Sequence, residues 1–330
     1  MVDLSVEFNG VKFDNPIVLA SGVLGVTGDG MAEVVRNGAG GVTTKSLWPR
    51  EHKGHPNPVI IAEGNYMLNA VGIPDAGPAK AVEELTRFRE KVDGDGADEK
   101  LSGRLIANIV GASVEDYVEM ARVVAGAAEG MGDFPRPDVV EVNISCPNVE
   151  DELGKPMACS TVKSAEVTRL VKEALCEAGL EDVPMVVKLS PNVENIVAIA
   201  RGVMEAGADG VTAINTVGPG MAIDIDMVRP VLANGVGGLS GPAIKPLAVK
   251  AVHDIYGALK CPIIGTGGVT TGRDAIEMMM AGATLVGVGT AVWLRGQDVF
   301  GKIVEEMREW CEENEIEKLS TLIGKIHENS

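Results

Sequence analysis

Residues 185–215, MVVKLSPNVENIVAIARGVMEAGADGVTAIN, contain the pattern that decides the fold. The apolar runs 185–189 and 210–215 lack regular polar alternation, as expected for parallel strands that are buried on both faces. Between them, Asn192-Val-Glu-Asn195 has the features of a capped helix start and predicts a helix near residues 193–206. This stretch therefore predicts one complete strand–helix–strand unit.

The same unit recurs along the chain. Eight strand-then-helix units predict an α/β fold, a (β/α)8 TIM barrel. An open doubly wound sheet is the alternative, but no Gly-x-Gly-x-x-Gly follows the first predicted strand. The predicted strands are residues 16–20, 41–44, 105–110, 139–143, 185–189, 210–215, 262–265 and 285–288, and the predicted helices lie near residues 28–37, 78–91, 114–128, 161–178, 193–206, 243–258, 272–281 and 296–313.

The two ends of the chain add to this barrel. Residues 6–8 and 11–13 flank Asn9-Gly10, a strong two-residue turn signal, and predict a short N-terminal β-hairpin. We expect a single (β/α)8 barrel domain over residues 1–330, with the hairpin in residues 1–14 and C-terminal helices in residues 296–330. Residues 93–99 look like an inserted, solvated acidic turn, and residues 131–137 like an irregular link.

Net charge restricts the classes of partner. Lys plus Arg number 29 and Asp plus Glu 47, a net charge of −18, which argues against duplex nucleic acid or an anionic membrane as the main partner. Aromatic residues make up only 3%, too few for base-stacking platforms. Residues 278–294 carry no charge, but their glycines favour a helix end, a turn and a buried strand over a membrane span.

The cysteines point to a reducing compartment. The five cysteines are scattered without a Cys-x-x-Cys pair, so we expect no zinc site, iron–sulfur cluster or disulfide framework in this chain. The N-terminus lacks the basic and long apolar segments of a secretory signal. A cytoplasmic location is the simplest expectation. Cys159, Cys176, Cys261 and Cys311 are expected to be inert, buried small hydrophobes.

Polar side chains lie at the C-terminal ends of most of the predicted strands. In a (β/α)8 barrel the active site lies at the C-terminal ends of the strands, where a purely structural end needs no such groups. The agreement between strands therefore predicts a site at that end. The residues are Ser21, Lys45-Ser46, Asn108, Asn143 to Asn148, Lys188-Leu-Ser190, Asn215-Thr216, Gly265-Thr-Gly-Gly268 and Gly289-Thr290.

Glycine-rich turns follow the seventh and eighth strands. Their backbone N–H groups are suited to a phosphate, and these are the two strands at which barrels usually bind one. Gly237, Gly238 and Gly241 could add a third wall to the same pocket. The alternative is that the glycines only make tight turns.

Lys45 and Lys188 end apolar strands, where a buried charge needs a partner. One of them could form a Schiff base, as in barrel aldolases. Both could instead stay cationic and neutralise an anionic cofactor or substrate. A structural salt bridge is the third interpretation.

Cys146 is the cysteine placed for chemistry. It follows a strand, and Asn143 and Asn148 on either side offer donors and acceptors that suit a planar heterocycle or a carboxylate. No histidine lies near it in sequence, so a proton-accepting thiol fits better than a protease-like nucleophile. An inert buried thiol is the alternative. His52 and His55 are interpreted as loop residues.

Six motifs over residues 15 to about 295 together resemble dihydroorotate dehydrogenase. They are Met67-Leu-Asn69-Ala-Val-Gly72, Asn143-Ile-Ser-Cys146-Pro-Asn148, Lys188-Leu-Ser-Pro-Asn192, Ile214-Asn215-Thr216, Gly237-Gly-Leu-Ser-Gly-Pro-Ala-Ile-Lys-Pro246 and Gly265-Thr-Gly-Gly268. The resemblance implies a (β/α)8 barrel with one FMN per chain that oxidises dihydroorotate to orotate in pyrimidine biosynthesis. The cysteine at the position of the catalytic base resembles the class 1 enzymes of this family. The sequences of the motifs at residues 67–72 and 237–242 resemble those of class 1B.

The resemblance also implies roles for single residues. Cys146 would take a proton from C5 of dihydroorotate while hydride passes from C6 to N5 of FMN. Lys45 would contact both substrate and flavin, and Lys188 would lie near the N1/O2 edge of the flavin. The implied substrate-binding residues are Lys45, Asn69, Ala70, Val71, Gly72, Ile73, Asn143, Asn148, Asn215 and Thr216, and the implied FMN-binding residues are Ser21, Lys45, Ser46, Asn108, Asn143, Lys188, Ile214, Gly241, Gly267, Gly268, Gly289 and Thr290.

Two segments depart from the family pattern. Residues 149–156 differ from the glycine-rich sequence that class 1B enzymes have at this place. The segment Asn57-Pro58-Val59 lacks the arginine of the Asn-Pro-x-Pro-Arg motif that is usual in the family. Both segments are expected in loops that cover the site.

The electron acceptor follows from the class. Class 1B enzymes reduce NAD through a partner subunit that carries FAD and a 2Fe–2S cluster, and this chain has no cysteine spacing for a cluster and no dinucleotide fingerprint. The resemblance thus implies a homodimer core in a heterotetramer with two such partners. The alternatives are a fumarate-using class 1A enzyme, a flavoenzyme like dihydropyrimidine dehydrogenase and, more remotely, a Schiff-base aldolase that uses Lys188.

Overall fold

The computed structural model describes residues 2–94, 101–128, 133–145 and 159–328. The strands are β1 Val6–Phe8, β2 Val11–Phe13, β3 Ile17–Leu19, β4 Gly41–Thr43, β5 Ile60–Glu63, β6 Tyr66–Asn69, β7 Arg104–Ile109, β8 Val139–Asn143, β9 Met185–Lys188, β10 Gly210–Ala213, β11 Val217–Gly220, β12 Ile223–Asp224, β13 Arg229–Pro230, β14 Gly237–Ser240, β15 Ile263–Thr266 and β16 Leu285–Val288. The α-helices are α1 Gly28–Arg36, α2 Pro78–Asp93, α3 Val114–Val124, α4 Thr161–Glu177, α5 Ile196–Glu205, α6 Lys245–Leu259, α7 Gly272–Ala281, α8 Ala291–Arg295 and α9 Val299–Glu313.

Eight of these strands close into a parallel barrel. Around the ring they follow chain order, β3, β4, β7, β8, β9, β10, β15 and β16, and pairing of β16 with β3 closes it. All eight predicted barrel strands are confirmed, and the alternative of an open sheet is wrong. Helices between consecutive strands cover the outside of the barrel, so the strands are buried on both faces.

The N-terminal hairpin closes one end of the barrel. Strands β1 and β2 pair across Asn9-Gly10 as predicted, and both residues adopt positive φ, 50° and 83°. Phe8 and Phe13 are fully buried. The ring of Phe13 lies 3.0 Å from the position that a Cβ on Gly41 would occupy. Gly41 is the first residue of β4. The hairpin therefore packs against the N-terminal end of β4, the end opposite to the C-terminal strand ends.

The predicted helix start before α5 is confirmed with a shift. Asn195 is the N-cap, and its side chain accepts a hydrogen bond from the N–H of Ala198 at 3.0 Å. Asn192 lies outside the helix. Its amide donates to Thr216 O at 3.2 Å and accepts from the N–H of Gly218 at 2.9 Å. Asn192, which the sequence suggests is part of the cap, therefore connects the segment after β9 to the segment after β10 through hydrogen bonds.

A second sheet that the sequence did not predict lies next to the barrel. Strands β11, β14, β6 and β5 form four antiparallel neighbours in that order, and β12 pairs with β13. Strands β11 and β14 are rich in glycine, VGPG and GGLS, so they lack the β-branched pattern that indicates a strand. Helix α8 was also not predicted.

The uncharged residues 278–294 divide as predicted. They cover the end of α7, the buried strand β16 and the start of α8. Across the described ranges, no helix combines the length and apolarity needed to cross a membrane. Most of the acidic segment 93–99, and residues 131 and 132 of the irregular link, lie outside the described residues.

Candidate active site

A cavity of about 630 Å³ opens at the C-terminal ends of the barrel strands. Barrel strands form its inner wall, and residues of the antiparallel sheet, among them Met67, Asn69 and Gly238, form the opposite wall. The cavity brings together most of the sequence-predicted site residues, which are Ser21, Lys45, Ser46, Asn69, Ala70, Val71, Gly72, Ile73, Asn143, Lys188, Ile214, Asn215, Thr216, Gly241, Gly267, Gly268, Gly289 and Thr290.

Three predicted residues are not in that set. Cys146 and Asn148 lie outside the described residues. Asn108 does not line the cavity: it is fully buried, and its Nδ2 donates to Glu141 Oε1 at 2.5 Å. Its Oδ1 accepts no hydrogen bond from any described residue. The structure therefore places Asn108 in the polar interior of the barrel.

Lys45 and Lys188 both line the cavity, in different electrostatic surroundings. The Nζ of Lys188 lies 3.5 Å from Glu141 Oε1, and both side chains are almost fully buried. For Lys45, burial is the largest cause that lowers the pKa, and the nearby charge of Lys188 lowers it further, whereas Asp75 acts in the opposite direction. Among the described residues, no carboxylate forms a salt bridge with Lys45, whereas Lys188 has one with Glu141.

Asparagine amides line the cavity between the two lysines. Asn143 Nδ2 lies 3.4 Å from Ser46 Oγ, and Asn215 Nδ2 lies 3.5 Å from Asn143 Oδ1. Both distances are long for hydrogen bonds, so a ligand with better-placed acceptors can take over these donors at little cost. The hydroxyl of Tyr117 donates to Asn143 O at 2.7 Å and fixes the backbone at this position. The arrangement suits a planar ligand with carbonyl or carboxylate oxygens.

His52 and His55 join the cavity wall although the sequence indicated only loop residues. The Nδ1 atoms of the two rings lie 3.1 Å from Ile73 O and 3.0 Å from Ala70 O. Backbone hydrogen bonds of 2.8 Å in both directions pair His52 with Asp75. The ring of Trp48 stacks on His52 with centroids 5.2 Å apart. The loop of His52 and His55 therefore holds the predicted substrate segment 70–73 in place.

Glycines line another part of the cavity. Gly267 and Gly268 adopt φ values of 131° and 77°, which favour glycine, and a Cβ on either would lie within 2.8 Å of Ala248 or Lys245. A Cβ on Gly289 would approach Ala20 no closer than 3.6 Å, so the missing side chain leaves room in the cavity. These glycines belong to the predicted phosphate site, and Gly289 is the one at which the structure leaves open space.

The other four cysteines lie outside this cavity. Cys261 and Cys311 are buried, as expected for inert thiols, and burial raises the pKa of Cys261 to about 11. The expectation of burial is wrong for Cys176, which is exposed near the end of α4, and Cys159 is half-buried. All four are free thiols.

The family model described as "Dihydroorotate dehydrogenase" matches residues 3–310. The chain belongs to the dihydroorotate dehydrogenase family. It is 38% identical over 325 residues to "Dihydroorotate dehydrogenase B (NAD(+)), catalytic subunit" of Methanocaldococcus jannaschii, with 98% of each chain covered. Proteins of the same name in Pyrococcus abyssi and Geobacter sp. are 38% and 39% identical, over 97% and 98% of this chain and 98% of each relative.

Membership of the dihydroorotate dehydrogenase family makes FMN the cofactor to test against the cavity. Lys45 supplies a positive charge that no carboxylate of the described ranges pairs in a salt bridge, and Lys188 supplies a second charge at the inner wall. The open space at Gly289 and the turn at Gly267-Gly268 fit a phosphate, and the amides of Asn143 and Asn215 fit a planar polar ring. The residues present therefore fit FMN together with a small carboxylate substrate, and the family favours this over the aldolase alternative.

Proposed function

We propose that this chain oxidises (S)-dihydroorotate to orotate, with FMN as its cofactor, in pyrimidine biosynthesis. The observation that carries the proposal is the cavity itself. In a chain of the dihydroorotate dehydrogenase family, it combines two lysine ammonium groups, several asparagine amides and a glycine-rich wall at the C-terminal mouth of the barrel. An anionic pyrimidine and a flavin phosphate both match this set of groups.

The proposed FMN site uses the inner wall of the cavity. Lys188, Ser46 and Ile214 would border the ring, and Gly267, Gly268, Gly289 and Thr290 the phosphate. Asn108 would act only from behind the wall, because it does not line the cavity. When bound, FMN supplies the acceptor for the hydride that leaves C6 of dihydroorotate.

The proposed substrate site lies towards the antiparallel sheet. Lys45 binds the 6-carboxylate, because it lines the cavity and no carboxylate in the described part of the chain forms a salt bridge with it. Asn69, Asn143 and Asn215 orient the ring through their amides, and the loop of His52 and His55 excludes water above it. The Cys146 thiolate takes the C5 proton, a role that rests on the sequence motif.

The electrons are proposed to reach NAD through a second protein. The relatives are named catalytic subunits of an NAD(+)-linked enzyme. For this chain we propose a partner subunit that carries FAD and a 2Fe–2S cluster, in a heterotetramer built on a homodimer. Five exposed apolar residues between β11 and β14 support an interface with a second copy: Met221, Ile223, Ile225, Met227 and Val228. Free thiols are consistent with the proposed cytoplasmic location.

The identity of the electron acceptor can be tested with the isolated chain. With dihydroorotate, it should reduce artificial dyes but not NAD, and it should sediment at twice the chain mass of 34.4 kDa. Addition of an iron–sulfur flavoprotein subunit should confer NAD reduction. Efficient turnover with fumarate by the isolated chain would overturn the NAD assignment, and sedimentation as a single chain would contradict the homodimer.

A further inference from the structure

A buried carboxylate lies below the cavity, and the proposed reaction does not use it. Glu141 is in the middle of β8 and is 2% exposed. Side chains alternate along a strand, so Glu141 points to the same side of β8 as Asn143, which lines the cavity. Glu141 therefore lies inside the barrel, one layer of side chains below the cavity wall.

Three donors from three different strands meet this carboxylate. Asn108 Nδ2 on β7 donates to Oε1 at 2.5 Å, and Thr212 Oγ1 on β10 donates to Oε2 at 2.6 Å. The third group is the Lys188 ammonium on β9, at 3.5 Å from Oε1. Asn108 and Thr212 fix the position of the carboxylate, and the carboxylate then faces the ammonium.

The charges around Lys188 show why this contact matters. Lys45 and Lys188 line the same cavity, and the charge of Lys188 lowers the pKa of Lys45. Among the described residues, Glu141 is the carboxylate within salt-bridge distance of Lys188. A buried ammonium beside a second cation is unfavourable unless an anion compensates it. Glu141 supplies that anion from the side of the barrel interior.

We propose that Glu141 is a positioning residue that holds the Lys188 ammonium at the cavity wall and partly offsets its charge. The inference rests on the proposed function, because it concerns the effect of Lys188 on bound FMN. A fixed positive charge at the wall stabilises the negative charge that FMN acquires on reduction. Glu141 thereby sets how readily the bound cofactor is reduced, although it does not line the cavity.

Glu141→Gln is the variant that isolates the charge. The Gln Oε1 can keep the contacts of Asn108 Nδ2 and Lys188 Nζ, and the hydroxyl of Thr212 can turn and accept a hydrogen bond from the new Gln Nε2. The shape of the network is kept, and the negative charge alone is removed.

We expect Glu141→Gln to raise the midpoint potential of bound FMN in a redox titration without dihydroorotate, because it removes a negative charge beside the Lys188 ammonium. The reduced state should be favoured about tenfold, or ~30 mV for a two-electron couple. Lys188→Met should lower the potential, and the double variant, which removes both charges, should lie between the two single variants. Glu141→Asp, which keeps the charge, should stay close to wild type. Glu84→Gln removes another buried carboxylate, one that binds Gly28 and Lys80 outside the cavity, and should leave the potential unchanged.

Each result has one meaning. A wild-type potential in Glu141→Gln, with a lowered one in Lys188→Met, would overturn the inference and leave the proposed function intact. Should Glu141→Gln fail to fold, the double variant decides, because it removes both charges together. A double-variant potential equal to or below that of Lys188→Met would overturn the inference. A wild-type chain that binds no flavin would overturn the proposed function and this inference with it.

Discussion

Replacement of Cys146 by alanine should abolish the reduction of bound FMN by dihydroorotate while FMN stays bound. The thiolate is the proposed acceptor of the C5 proton, and removal of a general base costs about 10²–10⁴ in rate. Cys146 lies outside the described residues, but Ser145, the residue before it, lines the cavity, and its hydroxyl donates to Lys188 O at 3.2 Å. None of the other four cysteines lines the cavity, so none of them can replace the lost base.

Stopped-flow absorbance under anaerobic conditions measures this rate directly. Cys159→Ala is the matched control, because Cys159 is a free, half-buried thiol outside the cavity, and it should react like wild type. Cys146→Ser should keep a little activity at high pH, since a hydroxyl is a much weaker acid than a thiol. Activity of Cys146→Ala within a few-fold of wild type would remove this residue from the mechanism.

Replacement of Lys45 by methionine should raise the KM for dihydroorotate about 10- to 100-fold, the loss expected for a hydrogen bond to a charged group. Methionine has similar length but carries no charge for the 6-carboxylate. Wild type should show the same dependence through pH. Burial and the charge of Lys188 lower the pKa of Lys45, so its charged form is lost at a lower pH than for an ordinary lysine. The KM should therefore rise as the pH rises through that pKa.

The rate at saturating substrate should also rise with pH, although substrate binding weakens. A free thiol has a pKa of about 8.5 and must be deprotonated to act as a base, so flavin reduction should rise through mildly alkaline pH and then level off. Lys45→Arg keeps its charge over this range and should remove the rise in KM without removing the rise in rate. An alkaline KM in wild type no higher than at neutral pH would contradict the assigned role of Lys45. A rate that is flat from pH 6 to 10 would mean that no thiol titrates.

The barrel and much of the cavity could be predicted because both depend on local sequence. Runs such as 285–288 are apolar on both faces, which favours interior strands, and barrel geometry then brings the polar strand ends together. Lys45, Lys188 and Asn215 were found in this way, although they are far apart in sequence. The capped start of α5 was within a few residues of its position for the same reason.

The features that the sequence did not predict depend on pairing between distant segments. The loop of His52 and His55 is held by backbone contacts with residues 71–75, and no periodic pattern marks such a contact. Strands β11 and β14 are built largely of glycine and gain their order from pairing with each other and with β6. Glu141 interrupts an apolar run without any local signal, and only the closed barrel shows that it faces Lys188.

An anaerobic titration of the purified chain with dihydroorotate, followed by its visible spectrum, tests the central claim most directly. We expect the chain to be yellow, to release one FMN per chain on denaturation, and to lose its flavin absorbance as dihydroorotate is added. Lys45, Asn143 and Asn215 would bind the substrate against the cofactor during this reaction. A flavin band that persists in excess dihydroorotate, or a chain that carries FAD or no flavin, would contradict the account.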